Sequence, residues 1–354
     1  MSMQAPTAWK VETRTRASST FFLLALLIVA LGFAAPLFLP RSGIQDLFFI
    51  LTMLVLAQCW NLLTGYAGLV SVGQQAFVGL GAYAMFAVVV LFGFDPLIGV
   101  VAGGLAAALL AIPTGFFVFR LQGAYFAIGT WVVAEVVRLT IAQVKTLGGG
   151  TGTSLPSRAT RDMVGVKLVQ DLFGVRSAQA VDILCYWLAL ALAVAAIVFI
   201  YRLLRSRWGL GLAAVRDNAQ AARAVGVDAL RVKAATYVIV AFMTGVVGAL
   251  IYVQKARISP DAAFAVTDWT AYVIFIVVIG GIGSIEGPII GVIVLYILQS
   301  LLADFGSWYL LVLGLIGIVV MLFAPRGLWG LFTERTGIQL FPVRRILTPR
   351  QSIN

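Results

Sequence analysis

Residues 47–94, LFFILTMLVLAQCWNLLTGYAGLVSVGQQAFVGLGAYAMFAVVVLFGF, contain no Asp, Glu, Lys or Arg. One helical crossing of a bilayer takes about 20 apolar residues, so this stretch is too long for one and holds two. It divides near Thr64 and Gly65 into spans of 44–63 and 66–92. The same reading, carried outward, gives spans at 21–39, 97–119, 123–142, 183–203, 234–254, 269–285, 287–303 and 308–324. The first of these follows Lys10, Arg14 and Arg16 and reads as a signal peptide or a first crossing; its length and the span close behind it favour a retained helix. The expected fold is an all-α polytopic membrane protein of about ten transmembrane helices. Some are expected to be broken, since irregular backbone at membrane depth is tolerated where it lines a cavity or packs in protein.

Composition agrees. Of 354 residues, 61% are hydrophobic and 11% charged, against about a quarter charged in soluble domains. The chain has no histidine, which removes most metal sites and the Ser-His-Asp and Cys-His nucleophile systems. Cys59 and Cys185 fall inside apolar spans and read as packing residues. No span carries paired carboxylates, so no catalytic residue, metal or bound cofactor is expected of this chain. The net charge of +11 comes from basic residues at the ends of apolar runs, which points to membrane orientation and away from nucleic acid.

Ten crossings place both termini on one side. Three Lys or Arg precede span one, Arg120 follows span four, seven lie between Arg202 and Lys233, and five follow span ten, so sixteen of 25 share that side. By the positive-inside rule it is cytoplasmic, giving an N-in/C-in topology. The expected organisation is a cytoplasmic tail at 1–20, a permease domain at 21–324 and a basic cytoplasmic tail at 325–354. Within the domain, a polar insert at 143–182 lies outside and a polar loop at 205–233 lies inside.

That inner loop, RSRWGLGLAAVRDNAQAARAVGVDALRVK, contains a short helix of its own. Asp217 reads as its N-cap with Gln220 three residues on, and Gly226 as its left-handed stop. A helix lying on the bilayer and a docking element for a cytoplasmic partner both fit this pattern.

Three stretches within the spans bear on function. In GYAGLVSVGQQAF (65–77), Gln74 and Gln75 need a partner helix, water or solute, because an unpaired buried amide is costly. In QGAYFAIGTWVVAEVVR (122–138), Glu135 and Arg138 share one helix face at i, i+3, either as an internal pair or as a gate to the outer vestibule. GGIGSIEGPIIG (280–291) puts Gly281, Gly283, Glu286 and Gly287 before Pro288, which is expected to open the next helix. A tight turn and a moving hinge both fit. The many other glycines of the spans suit either close helix approach or breaks along a solute path between helices.

Taken in order, 65–77, 123–138, GGGTGT at 148–153, RWGLGLAAVRDNAQAARAVGV at 207–227, ISPDAAF at 258–264 and 280–291 resemble the LivM-type permeases of branched-chain amino acid ATP-binding cassette importers. The resemblance implies a second, homologous permease subunit, two cytoplasmic ATP-binding subunits that hold ATP and Mg, and a periplasmic solute-binding protein, all at a bacterial inner membrane. It also implies that the segment around Arg216, Asp217, Asn218, Ala221, Ala222, Arg223 and Gly226 is the coupling helix for the ATPases. Ser71, Gln74, Tyr125 and Thr130 are the expected translocation-path residues. The family commonly has Gln where this chain has Leu69 and His where it has Gln74, and contact of either with solute would shift specificity away from Leu, Ile and Val; the expected solute is a branched-chain or related amino acid, with urea or a short amide as the alternative. An ion-coupled secondary transporter is the rival class, with Glu135 and Arg138 as its few intramembrane charges.

Overall fold

The uncharged 47–94 stretch forms two helices separated by a seven-residue break, in a computed structural model that describes residues 9–12, 16–302, 305–306, 308–338, 340–342 and 346–349. Helix α1, Arg16–Ala34, turns at Ala35–Leu37 into α2, Arg41–Asn61. The end of α2 widens into a π turn at Leu62–Tyr66, and α3 begins only at Gln74 and ends at Phe92. The expected division at Thr64 and Gly65 therefore moves to residues 67–73. Backbone pairing explains the shift: Trp60 Nε1 donates to the Ser71 carbonyl at 2.7 Å, Thr64 Oγ1 to the Leu69 carbonyl at 3.2 Å, and Val72 N to Thr130 Oγ1 at 3.0 Å. Side chains thus supply what helical bonds would have supplied.

The chain continues through α4, Pro96–Val118, and α5, Ala124–Ala142, to the short α6, Ser157–Arg161, and α7, Val166–Phe173. Next come α8, Ser177–Arg205, α9, Arg207–Asp217, α10, Ala219–Ala224, and α11, Ala229–Lys255. Helix α12, Pro260–Ala263, leads to a π turn at Thr267–Ala271 and α13, Tyr272–Gly280. Last are α14, Glu286–Leu302, α15, Trp308–Phe323, and α16, Gly327–Thr336. Two antiparallel strand pairs complete the described residues: β1, Trp9–Glu12, with β4, Ile346–Pro349, and β2, Thr153–Ser154, with β3, Arg257–Ile258. The β1–β4 pairing brings the two ends of the chain to the same end of the bundle. Of the basic residues counted for orientation, Arg14, Arg344, Arg345 and Arg350 lie outside the described residues.

Eight described helices are long and apolar enough to cross a membrane, and Phe22–Leu37 and Glu286–Leu302 are shorter apolar helices, so each expected span is helical. Two boundaries move appreciably. The insert expected at 143–182 ends at residue 176, because α8 starts at Ser177. Asp182 is therefore intrahelical and buried, and it accepts from Arg41 Nε at 2.6 Å and Gln45 Nε2 at 3.1 Å. Glu135 and Arg138 are thus not the only opposite charges among the helices. The span expected at 269–285 runs from Pro260 to Gly280. Ser259 Oγ caps its start by accepting from Ala262 N, and Gly281, at φ +131°, ends it. Asp261 and Asp268 had hidden its first turns.

Helices α3, α4 and α11 make the most extensive contacts of the bundle. Gly81, Gly103 and Gly245 meet there: a Cβ on Gly245 would lie 2.5 Å from the Ala107 Cβ and 2.8 Å from the Gly103 carbonyl, and one on Gly81 would overlap the Gly245 backbone. Close approach is what small residues provide where lipid supplies no hydrophobic force between helices. Other glycines sit where the backbone leaves the helix: Gly65 is in the π turn and Gly68 and Gly73 are in the break after it, whereas Gly81, Gly103 and Gly245 serve the packing.

Candidate functional site

The polar loop folds as α9 and α10 at nearly one residue from the expected register. Asn218, not Asp217, is the N-cap of α10: its Oδ1 accepts from Gln220 N at 2.9 Å and Ala221 N at 3.0 Å, while Asp217 ends α9. The expected capping pair was misplaced because α9 extends one residue further than the Asp217 signal implied. Gly226 takes the left-handed conformation at φ +85°, as the stop signal requires. The face of α10 differs from expectation. Ala222 is 3% exposed and packs on Val215 and Ala229 of the same chain, so the outward face carries Ala221, Arg223 and Val225, the last 78% exposed. A six-residue helix tied to α9 and α11 has to turn one side inward, and Ala222 is on that side.

Arg216, in the last turn of α9, reaches back to α2. Its Nη1 donates to the Gly65 carbonyl in the π turn at 2.6 Å. A π turn leaves carbonyls without their usual helical donors, and such turns recur at functional sites. The same corner holds the loop between α13 and α14. Asn61 Oδ1 accepts from Gly283 N at 2.8 Å, Asn61 Nδ2 donates to the Ser284 carbonyl at 2.8 Å, and Gln58 Nε2 donates to the Ile285 carbonyl at 2.6 Å. Gly65 has no room for a Cβ, which would lie 2.6 Å from both Asn61 Oδ1 and Gly283 N. Arg216 of the expected coupling segment and the expected turn residues Gly281, Gly283 and Gly287, singled out separately in the sequence, therefore share one junction. Gln58 and Asn61 were missed, although two carboxamides at i, i+3 in an uncharged run are a readable signal for a buried partner.

Glu286 sits on this junction too, buried at the first residue of α14. Pro288 is therefore the third residue of that helix and not its opener. The Glu286 carboxylate accepts from Leu340 N at 3.2 Å and Phe341 N at 2.8 Å, so the chain after α16 is clasped to the turn. The Phe341 ring packs edge-on against Phe22 of α1 and Tyr201 of α8, at centroid distances of 5.9 and 5.7 Å.

Of the four expected path residues, three come together at the α2–α3 break. Ser71 Oγ accepts from Gly73 N at 3.3 Å, and Thr130 Oγ1 both accepts from Val72 N and donates to the Ala127 carbonyl at 2.8 Å. Gln74 opens α3 beside them; its Oε1 accepts from Thr244 Oγ1 at 3.5 Å, and its buried Nε2 has no partner among the described residues. Tyr125 does not join them: it is 73% exposed on the outer surface of α5. Leu69, one of the two departures, is buried within the break.

Glu135 and Arg138 form an ion pair at 2.6 Å, with Arg138 Nε also 3.0 Å from both carboxylate oxygens. Arg138 Nη1 makes a second ion pair, 2.7 Å long, to Asp261 of α12. Asp261 is the residue sequence reasoning missed here. The guanidinium joins α5 to α12, so the pair ties together segments more than a hundred residues apart.

Residues 44–324 match the family model described as branched-chain amino acid transport system / permease component. The chain is 30% identical over 319 residues to the high-affinity branched-chain amino acid transport system permease protein LivM of Salmonella typhimurium, a match covering 87% of this chain and 74% of the relative. LivM of Escherichia coli matches to the same extent. The corresponding LivH permease protein of Salmonella typhimurium is 25% identical over 298 residues, covering 79% of this chain and 91% of the relative. No solved structure matches.

Proposed function

Because this chain belongs to the branched-chain amino acid transport permease family, we infer that it is one membrane-spanning half of an ATP-driven importer of branched-chain amino acids. Its partners in this reading are a second permease subunit, two cytoplasmic subunits that bind and hydrolyse ATP with Mg, and an external solute-binding protein. The loop end of the bundle faces the cytoplasm, in keeping with its concentration of Arg and Lys. The insert at 143–176 then lies outside, and the membrane is the bacterial inner membrane.

The observation that carries the reading is the hydrogen bond from Arg216 to the Gly65 carbonyl. Helix α10, with Ala221, Arg223 and Val225 outward, docks on an ATPase. Its displacement is passed through Asn218 and α9 to Arg216, and from there to the π turn that ends α2 and to the Gly283 turn. The unwound segment with Ser71, Gln74 and Thr130 lies directly beyond that turn, where a change in helix angle opens or closes a path. The chain itself makes and breaks no covalent bonds.

The test is uptake by the complex purified with its natural partners and reconstituted in lipid vesicles. ATP-dependent accumulation of leucine, isoleucine or valine is expected, and Ala221→Arg is expected to abolish it while leaving Ala222 packing intact. Uptake that ignores ATP and collapses with the proton gradient would instead assign the chain to the secondary transporters.

A further inference from the structure

At the end of the bundle away from Arg216, α2, α11, the α12–α13 π turn, α14 and α15 enclose a cavity of about 310 Å³. Phe48 precedes Gly65 by seventeen residues of the same helix, so roughly 25 Å of helix at ~1.5 Å per residue separates this cavity from the junction. Its apolar walls are Phe48 and Met53 of α2 and Trp269, all buried. The volume lies at the low end of the ~300–1,000 Å³ range of small-ligand pockets. It has room for about ten water molecules at ~30 Å³ each, the scale of a single amino acid and not of a peptide.

Two opposite charges face this apolar space. Lys255, the last residue of α11, stands on its rim with its ammonium 5.0 Å from the Trp269 ring centroid and 5.4 Å from that of Tyr252. Asp268 lines the same cavity and is half-buried. The two feel each other electrostatically but close no ion pair, and Asp268 makes no hydrogen bond among the described residues. Beside Lys255, the buried Gln254 Nε2 has no partner among the described residues. The Lys255 side chain is exposed at the rim, so the half-buried Asp268 carboxylate and the Gln254 amide are the groups that stay costly unless a further body satisfies them. The chain just after Lys255 is tied to the insert: Leu155 donates its N–H to the Ala256 carbonyl at 2.8 Å, and β2 pairs with β3 at Arg257–Ile258.

We propose that this cavity binds the zwitterion of one aliphatic amino acid, with Lys255 and Gln254 receiving the α-carboxylate, Asp268 the α-ammonium, and Phe48, Met53 and Trp269 the side chain. A solute lacking the ammonium leaves the half-buried Asp268 unmatched, and one lacking the carboxylate leaves the buried Gln254 amide without an acceptor, so the site discriminates amino acids from fatty acids and from amines. The site is separate from any external binding protein. The proposal rests on the transport reading above but adds a site within the permease itself.

The experiment uses the reconstituted complex without the external binding protein and a diazirine analogue of leucine as photolabel. Label is expected on the peptides holding Phe48–Met53 and Trp269, displaced by leucine but not by leucinamide or 4-methylpentanoate. Lys255→Met and Asp268→Asn are expected to weaken labelling about 10- to 100-fold, the loss of one charge-assisted contact, and Asp268→Glu to restore it. Label elsewhere in the wild-type complex overturns the proposal whether or not the variants fold. Equal labelling of wild type and both variants overturns it too. In either case ATP-driven leucine uptake by the wild type leaves the importer reading standing, whereas absence of any such uptake, with the binding protein added, removes that reading.

Discussion

Arg216 Nη1 lies 2.6 Å from the carbonyl oxygen of Gly65, joining two residues 151 positions apart. One belongs to a polar helix at the rim of the bundle and the other to the π turn that ends α2. A charge-assisted hydrogen bond contributes about 1.5–3 kcal/mol. Arg216→Ala is therefore expected to leave the complex assembled and hydrolysing ATP, but to raise the ATP consumed per solute imported by about tenfold. Arg216→Lys is expected to rescue this only partly, because an ammonium lacks the planar fork that aims the donor. The ratio of hydrolysis to uptake in vesicles checks this, and an unchanged ratio would mean the bond only braces the fold.

Gln58 and Asn61 hold the loop between α13 and α14 by its backbone. Asn61→Ala strands the part-buried Gly283 N–H and Ser284 carbonyl, two groups at up to about 1–3 kcal/mol each. It is expected to destabilise more than Gln58→Ala, which strands the Ile285 carbonyl alone. Since both act on one loop, the double variant should lose less than the sum. Thermal unfolding in detergent measures all three, and strict additivity would show that the loop is not held as a unit.

Arg138 serves two carboxylates of different standing. Asp261 is 83% exposed at its side chain, and exposed ion pairs contribute about 0–1 kcal/mol. Asp261→Asn should therefore change stability little. Arg138→Gln leaves Glu135 facing an apolar span without its counter-charge and should destabilise by several times more. Adding Glu135→Gln to Arg138→Gln is expected to recover most of the loss. Unfolding midpoints of the three variants decide, and failure of that rescue would point to a different role for Arg138.

Glu286 clasps the chain at Leu340 and Phe341 through its carboxylate. Glu286→Ala removes the single Oε1 acceptor that receives both N–H groups and should expose the segment after α16 to protease about tenfold faster. Glu286→Gln keeps a carbonyl acceptor and should stay near wild type. Timed proteolysis followed by mass spectrometry reads both, and equal cleavage in all forms would mean that the Phe341 ring packing alone holds the segment.

The all-helical class, the apolar segments and the polar loop were legible in the sequence because they depend on run length and hydropathy along the chain. The uncharged 47–94 run needs two crossings in any arrangement, and Gly226 stops a helix by its own backbone freedom. The break at 67–73, the cap at Asn218 and the inward turn of Ala222 were not legible, nor was the meeting of Arg216 with Gly65. Each depends on which distant group satisfies a local one. Residues 67–73 leave the helix because Thr130 and Trp60 supply partners for their backbone, and Ala222 turns inward because Val215 and Ala229 are there to receive it. Local sequence sets how long and how apolar a segment is; only tertiary contact decides where its unpaired polar groups find partners.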